Sequence, residues 1–264
     1  MQIINKLDDD SMVIPFTHDD ELYVLHFANT VSIILQRAQM TRALILRMIS
    51  MAEMRDPKET GAHVNRVASY AVEIYEQWAH KKNIPKHDID RNRDILRMAA
   101  MLHDVGKVSI SDVILKKPGR FNKEEFEIMK THTFTGAELF KQMQSEFDEM
   151  AATVALTHHE NWDGTGYPGK IDIKTGQAIE TDENGNPRPL VGEEISIFGR
   201  IVALADVYDA LCSKRVYKEA WNEDDVLEEI KKLSGSKFDP EVVDIFFECL
   251  DIIRSIAERY PDTD

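Results

Sequence analysis

From Glu21 to about Arg55 the sequence carries neither glycine nor proline, and Leu22, Leu25, Phe27, Val31, Ile34, Leu35, Ala38, Leu44, Leu46 and Ile49 recur at helical spacing. This stretch predicts a helix of about 30 residues, longer than one globular core usually needs. Two readings follow: a long packed helix, or a coupling helix that pairs with its twin in a homodimer. Asp56-Pro57 ends it, because the residue before a proline is pushed out of the α region. Helical patterning returns at about 61–80, 91–104, 123–130, 133–144, 147–160, 194–212, 223–233 and 239–258. Gly164, Gly166, Gly169, Gly176, Gly185 and Gly192 crowd into 161–192 with Pro168, Pro187 and Pro189, which predicts a long loop or small hairpin there. The expectation is an all-α fold with an N-terminal segment and helix over 1–50 and a helical domain over 51–264.

Composition narrows the function classes. A net charge of −15 excludes the broad Lys/Arg field that a long nucleic-acid surface requires. It leaves room for a small phosphate substrate, because a metal cluster reverses the sign of the field inside one pocket. The apolar runs fall short of the roughly 20 residues needed to span a bilayer, so no membrane insertion is expected. Cys212 and Cys249 lie in helix-like apolar stretches and read as reduced core thiols of a cytoplasmic protein.

Five of the nine histidines fall in polar clusters between helical segments. Glu59 stands four residues before His63, so both can project from one helical face. In His103-Asp104-Val105-Gly106-Lys107, helical geometry would set His103 and Lys107 on one face and Asp104 about 100° around it. His132 precedes Gly136, and His158-His159-Glu160 leads into Asp163-Gly164-Thr165-Gly166-Tyr167-Pro168. The last cluster is Asp206-Val207-Tyr208-Asp209, followed by Arg215, Tyr217 and Lys218. Imidazole and carboxylate donors together suit first-row divalent ions such as iron, manganese or zinc, and one carboxylate can hold two ions about 4 Å apart. Such a pair acidifies a bridging water and neutralises phosphate oxygens during in-line attack. Each cluster alone is weak evidence, since a lone His-Asp pair is far more often structural. The conjunction of five carries the reading.

In this order the clusters resemble the HD phosphohydrolase superfamily at His103-Asp104-Val105-Gly106-Lys107. The run His158-His159-Glu160-Asn161-Trp162-Asp163-Gly164-Thr165-Gly166-Tyr167-Pro168 resembles the fuller signature of its HD-GYP members. Glu59 to Arg66, His132 to Gly136 and Asp206 to Leu211 are similar to the remaining family blocks, and the match covers roughly 50–260. The resemblance implies an HD-domain bundle of about seven core helices and hydrolysis of cyclic di-GMP to the linear dinucleotide or GMP. It also implies two or three divalent metal ions, iron or manganese. By matching position the metal ligands would be His63, His103, Asp104, His132, His158, His159 and Asp206, with Asp104 bridging and Glu59 serving a third ion. Lys107, Arg215 and Lys218 would meet substrate phosphates, Gly166 and Tyr167 would line the guanine and ribose side, and Asp209 would assist a proton or orient a ligand.

One departure from the family is a longer connection between Pro168 and Asp206, which either caps the pocket or lies on the outside. Asp19-Asp20-Glu21-Leu22 to Phe27-Ala28-Asn29, then Arg37-Ala38, resembles the last helix of a GAF sensory domain, which reads either as the tail of an upstream sensory domain or as a remnant of one. Two other readings stand beside the leading one: a general HD phosphohydrolase acting on other phosphoesters, mixed cyclic GMP-AMP included, and a catalytically silent signalling module. Gly166-Tyr167-Pro168 argues against a simpler phosphohydrolase, and the full ligand set argues against the silent module.

Overall fold

The computed structural model describes residues 4–55, 61–213 and 221–262, so Glu59, Arg215, Tyr217 and Lys218 lie outside the described residues. The chain divides into two compact units, Met1–Met48 and Ile49–Asp264. In the first, a two-stranded antiparallel hairpin pairs β1 (Lys6–Leu7) with β2 (Val13–Ile14), a feature the unpatterned first 20 residues do not predict. Helix α1 (His18–Arg55) follows. It opens on a capping box in which Thr17 Oγ1 accepts from Asp20 N while Asp20 Oδ2 accepts from Thr17 N.

The second unit is all-helical. Its centre is α2 (Gly61–Lys81), α3 (Lys86–Met101), α6 (Glu146–Thr157) and α7 (Ile197–Cys212), with α2 packing on α3 and α7 and α6 packing on α3 and α7. Ile74, Leu96, Ile201 and Leu204 are fully buried there, each contributing about 1.5–3 kcal/mol. Ala68, Ala71, Ala99, Ala100, Ala151, Ala152, Ala155 and Ala205 share that burial. Residues this small leave the packed helix faces of the centre without bulky side chains between them. The rim comprises α4 (Asp112–Leu115), α5 (Lys123–Glu138), α8 (Glu223–Lys232), α9 (Pro240–Glu248) and α10 (Leu250–Arg259).

Helix boundaries differ from the expected ones at several points, three of which change the reading. Residues 123–138 form one helix, because Thr131 and Thr133 each bond a carbonyl three residues back in the same helix and do not interrupt it. The stretch 239–258 is two helices, broken at Cys249. Helix α3 ends at Met101, so His103 and Asp104 lie in a turn leading into a short 3₁₀ helix, Val105–Ser109. The expected helical face shared by His103 and Lys107 does not exist. The cause is contact: a Cβ on Gly106 would stand 1.9 Å from the His132 carbonyl oxygen, so the chain after α3 lies flat on α5. Among the described residues no helix is long and apolar enough to cross a membrane.

Candidate metal centre

Imidazoles and carboxylates from five chain segments converge in the second unit. The donor atoms of Asp104, His132, His158 and His159 lie within 4.8 Å of one another, as do those of His63, His103 and Asp206. Asp104 stands between the groups. Its Oδ1 is 3.1 Å from His132 Nε2 and 3.5 Å from His158 Nε2, and its Oδ2 is 3.3 Å from His103 Nε2. His63 Nε2 and His103 Nε2 approach Asp206 Oδ1 at 3.5 and 3.9 Å.

The other ring nitrogen of each imidazole explains the aim. His103 Nδ1 donates to the Ala100 carbonyl at 2.7 Å, His132 Nδ1 to Met129 at 2.6 Å and His158 Nδ1 to Ala155 at 3.0 Å. A carbonyl only accepts, so the proton sits on Nδ1 and the Nε2 lone pair faces inward. His63 Nδ1 is instead 2.7 Å from Asp209 Oδ2. Arg66 grips that carboxylate twice, Nε to Oδ1 at 2.6 Å and Nη2 to Oδ2 at 2.9 Å.

The donor set fits a divalent ion on an independent observation. Asp104 Oδ1 is buried and accepts no hydrogen bond among the described residues, although two lone-pair-bearing Nε2 atoms face it. A cation between them resolves that arrangement. The charge states agree. Burial alone would raise the Asp104 pKa, but the charge of Lys107, whose Nζ is 2.6 Å from Oδ2, leads the interactions that hold it well below the usual carboxylate range. Burial depresses His158, and burial with the neighbouring His158 and His132 depresses His159 further, leaving both neutral as ligands require.

Two residues of this region, Glu160 and Lys237, received no role from the sequence. Glu160 is buried, its Oε1 accepts from Gly169 N at 2.5 Å, and burial raises its pKa to about 7. Lys237, half-buried on the turn before α9, reaches Asn161 Oδ1 at 3.4 Å and feels the charges of Asp206 and Asp163. Gly166 packs so tightly that a Cβ would meet Asn161 N at 2.2 Å. Tyr167 then lays its ring on His159 with centroids 4.9 Å apart, and burial followed by the charge of Asp104 raises its phenol pKa. Arg66 also went without a role, although its position one helical turn after His63 was a signal for it.

The connection after Pro168 does not lie apart from this region. Isolated bridges tie Ile171 to Ala178 and Thr181 to Pro187, and the Gly176 turn rests on the Phe134 ring of α5, at 2.9 Å from where a Cβ would be.

A model of the HD domain matches residues 60–211. A 3'3'-cGAMP-specific phosphodiesterase 2 of Vibrio cholerae is 34% identical over 245 residues, which is 92% of this chain and 42% of that protein. A cyclic di-GMP phosphodiesterase of the same organism is 39% identical over 223 residues, 83% of this chain and 41% of that protein. A cyclic di-GMP phosphodiesterase of Thermotoga maritima is 38% identical over 220 residues, 83% of this chain and 52% of that protein. The chain thus spans about half or less of the length of these relatives. With the HD-domain match running from the start of α2 into α7 and the GYP signature following His159, the chain belongs to the HD-domain family, in its HD-GYP branch.

Proposed function

We propose that this chain is a metal-dependent phosphodiesterase that opens a cyclic dinucleotide, with cyclic di-GMP as the leading substrate. The observation that carries the reading is the position of Asp104, one oxygen directed to each of two donor groups. His63, His103 and Asp206 would hold one ion, His132, His158 and His159 the second, and Asp104 would bridge them; iron or manganese suits this nitrogen and oxygen set. Glu59 would serve a third ion on sequence grounds alone. Bound ions supply Lewis-acid neutralisation of the phosphate and acidify a water.

The protein's own groups do the rest. Lys107 presents a cation at the edge of the centre, suited to a non-bridging phosphate oxygen, and Arg215 and Lys218 would add others. Tyr167 shields the His159 side of the centre from water. Asp209, with both oxygens engaged by His63 and Arg66 and almost no exposure, is a positioning residue: of its two expected roles, orienting a ligand has the support of its contacts. A homodimer paired through α1, relaying from an upstream sensory domain, extends the proposal. Exposed Leu22, Leu25, Phe27, Ile34 and Leu35 on that helix support it.

The test is chromatography of products from purified protein loaded with Fe²⁺ or Mn²⁺. Cyclic di-GMP should be converted to the linear dinucleotide or GMP, and Asp104→Ala should lose both turnover and bound metal. Full turnover by Asp104→Ala would refute the bridging role. Mixed cyclic GMP-AMP is the second reading, favoured by the relative named for it that aligns with 92% of this chain. Faster cleavage of that substrate decides for it.

A further inference from the structure

We infer that the extended connection after Pro168 builds a binding subsite for one purine base of the cyclic dinucleotide, an inference that rests on the proposed function. A cavity of about 700 Å³ lies between α5 and this segment. That is within the roughly 300–1,000 Å³ of small-ligand pockets.

Its walls suit a nucleobase. Phe134 from α5 and Pro187 and Pro189 from the segment offer flat apolar faces, and Thr131, Glu127 and Asn186 offer hydrogen-bonding groups for a base edge. Phe134 stays half-exposed even with Gly176 against its ring. Gly176 is at φ +70°, and a Cβ there would stand 2.9 Å from that ring, so only glycine lets the turn rest there and hold the wall in place. Lys130 adds a cation 5.0 Å from the Phe126 centroid and 5.6 Å from that of Tyr167.

Tyr167 joins the cavity to the chemistry. It lines the cavity, its ring lies 4.9 Å from that of His159, and its phenol feels the carboxylates of Asp104 and Asp206. A phosphodiester at the donor cluster therefore has its neighbouring ribose and base directed past Tyr167 into this space. The segment that the sequence left as a cap or an outside excursion becomes a recognition element for that base.

Stacking of a base on an aromatic side chain accounts for roughly 5- to 150-fold in affinity when the ring is cut to alanine. The experiment uses Mn²⁺-loaded protein and a non-hydrolysable phosphorothioate analogue of cyclic di-GMP, with affinity read by calorimetry. A second probe is a cyclic dinucleotide carrying 2-aminopurine, whose emission is quenched on stacking. Phe134→Ala is expected to weaken binding about tenfold and to relieve the quench. Asn186→Ala, at an exposed site where the substitution keeps both backbone hydrogen bonds to Asp182, is expected to weaken binding several-fold. In both variants kcat/KM for cyclic di-GMP should fall relative to that for bis(p-nitrophenyl) phosphate, a diester without a base. Wild type that binds and cleaves while both variants keep its affinity and quench would overturn the subsite alone. Wild type that neither binds nor cleaves any cyclic dinucleotide would overturn the subsite together with the function it rests on.

Discussion

Replacing Asp209 by asparagine keeps the size of the side chain and removes one charge from the most tightly bonded carboxylate near the centre. In the native protein Oδ1 takes Arg66 Nε at 2.6 Å, and Oδ2 takes His63 Nδ1 at 2.7 Å, Arg66 Nη2 at 2.9 Å and Ser213 Oγ at 3.2 Å. An amide turns one of these acceptors into a donor that faces donors, and it leaves the buried Arg66 without its main counter-charge. Breaking a buried pair this way costs about 3–5 kcal/mol. The lower end applies here, because Arg66 Nη1 keeps Asp262 at 2.8 Å and the Tyr260 carbonyl at 2.7 Å. Metal affinity falls as well, since His63 loses the acceptor that fixes its tautomer; partners of this kind are worth about 10- to 100-fold, or roughly 1.4–2.8 kcal/mol. Burial would raise the Asp209 pKa, but His63 and Arg66 hold it below the usual range. A depressed folded pKa means stability that is present above about pH 4 and lost as pH falls through the folded value, so the wild type should show an acid-sensitive component that Asp209→Asn lacks. Denaturant melts in EDTA and Mn²⁺ competition with a chelating dye measure the two effects. A folded variant within about 1 kcal/mol of wild-type stability and with unchanged Mn²⁺ affinity would refute the reasoning.

Gly106→Ala sets a methyl 1.9 Å from the His132 carbonyl and 2.5 Å from Gly136 N, so the segment carrying Asp104 and Lys107 must lift off α5. A loss of about 1–3 kcal/mol with reduced metal content is expected, checked by melting and elemental analysis. Glu160 has its pKa raised by burial to about 7 from an ordinary 4.5. The acid form therefore stabilises the fold fully below about pH 4.5, and the contribution is lost as pH rises through about 7. Ion-free protein should be about 2.5 kcal/mol less stable at pH 8.5 than at pH 5, and Glu160→Gln should flatten that difference. Mn²⁺ at about 100 times its Kd should stabilise the protein by about 2.7 kcal/mol per site, visible as an upward shift in Tm that EDTA reverses.

Motif spacing made the donor cluster readable where His63, His103, Asp104, His158 and His159 sit beside helix boundaries, whereas His132 and Asp206 lie inside α5 and α7 and were legible through their motifs alone. The geometry behind it was less readable. Nothing in His103-Asp104-Val105-Gly106-Lys107 says that α3 has already ended, since that break follows from Gly106 touching α5, a partner some 26–30 residues on. Thr131 and Thr133 look like helix-breakers until their hydroxyls are seen bonded inside α5. Arg66 and Asp209 lie far apart in sequence, and periodicity cannot pair them. The contact of Gly176 with Phe134 is equally non-local, which is why the loop could be located but not its wall. Glu59, Arg215 and Lys218 lie outside the described residues.

Three inward-facing imidazoles share a device. His103, His132 and His158 each give Nδ1–H to the carbonyl three residues earlier, at Ala100, Met129 and Ala155. Main chain, present whatever the neighbouring residues are, thus sets their tautomer, and side chains around them can be exchanged without turning the rings. His63 Nδ1 turns instead to a side-chain carboxylate, that of Asp209. Ring orientation is therefore robust at those three donors and breakable at His63, where a single codon change far along the chain would disarm a donor while leaving its own residue untouched.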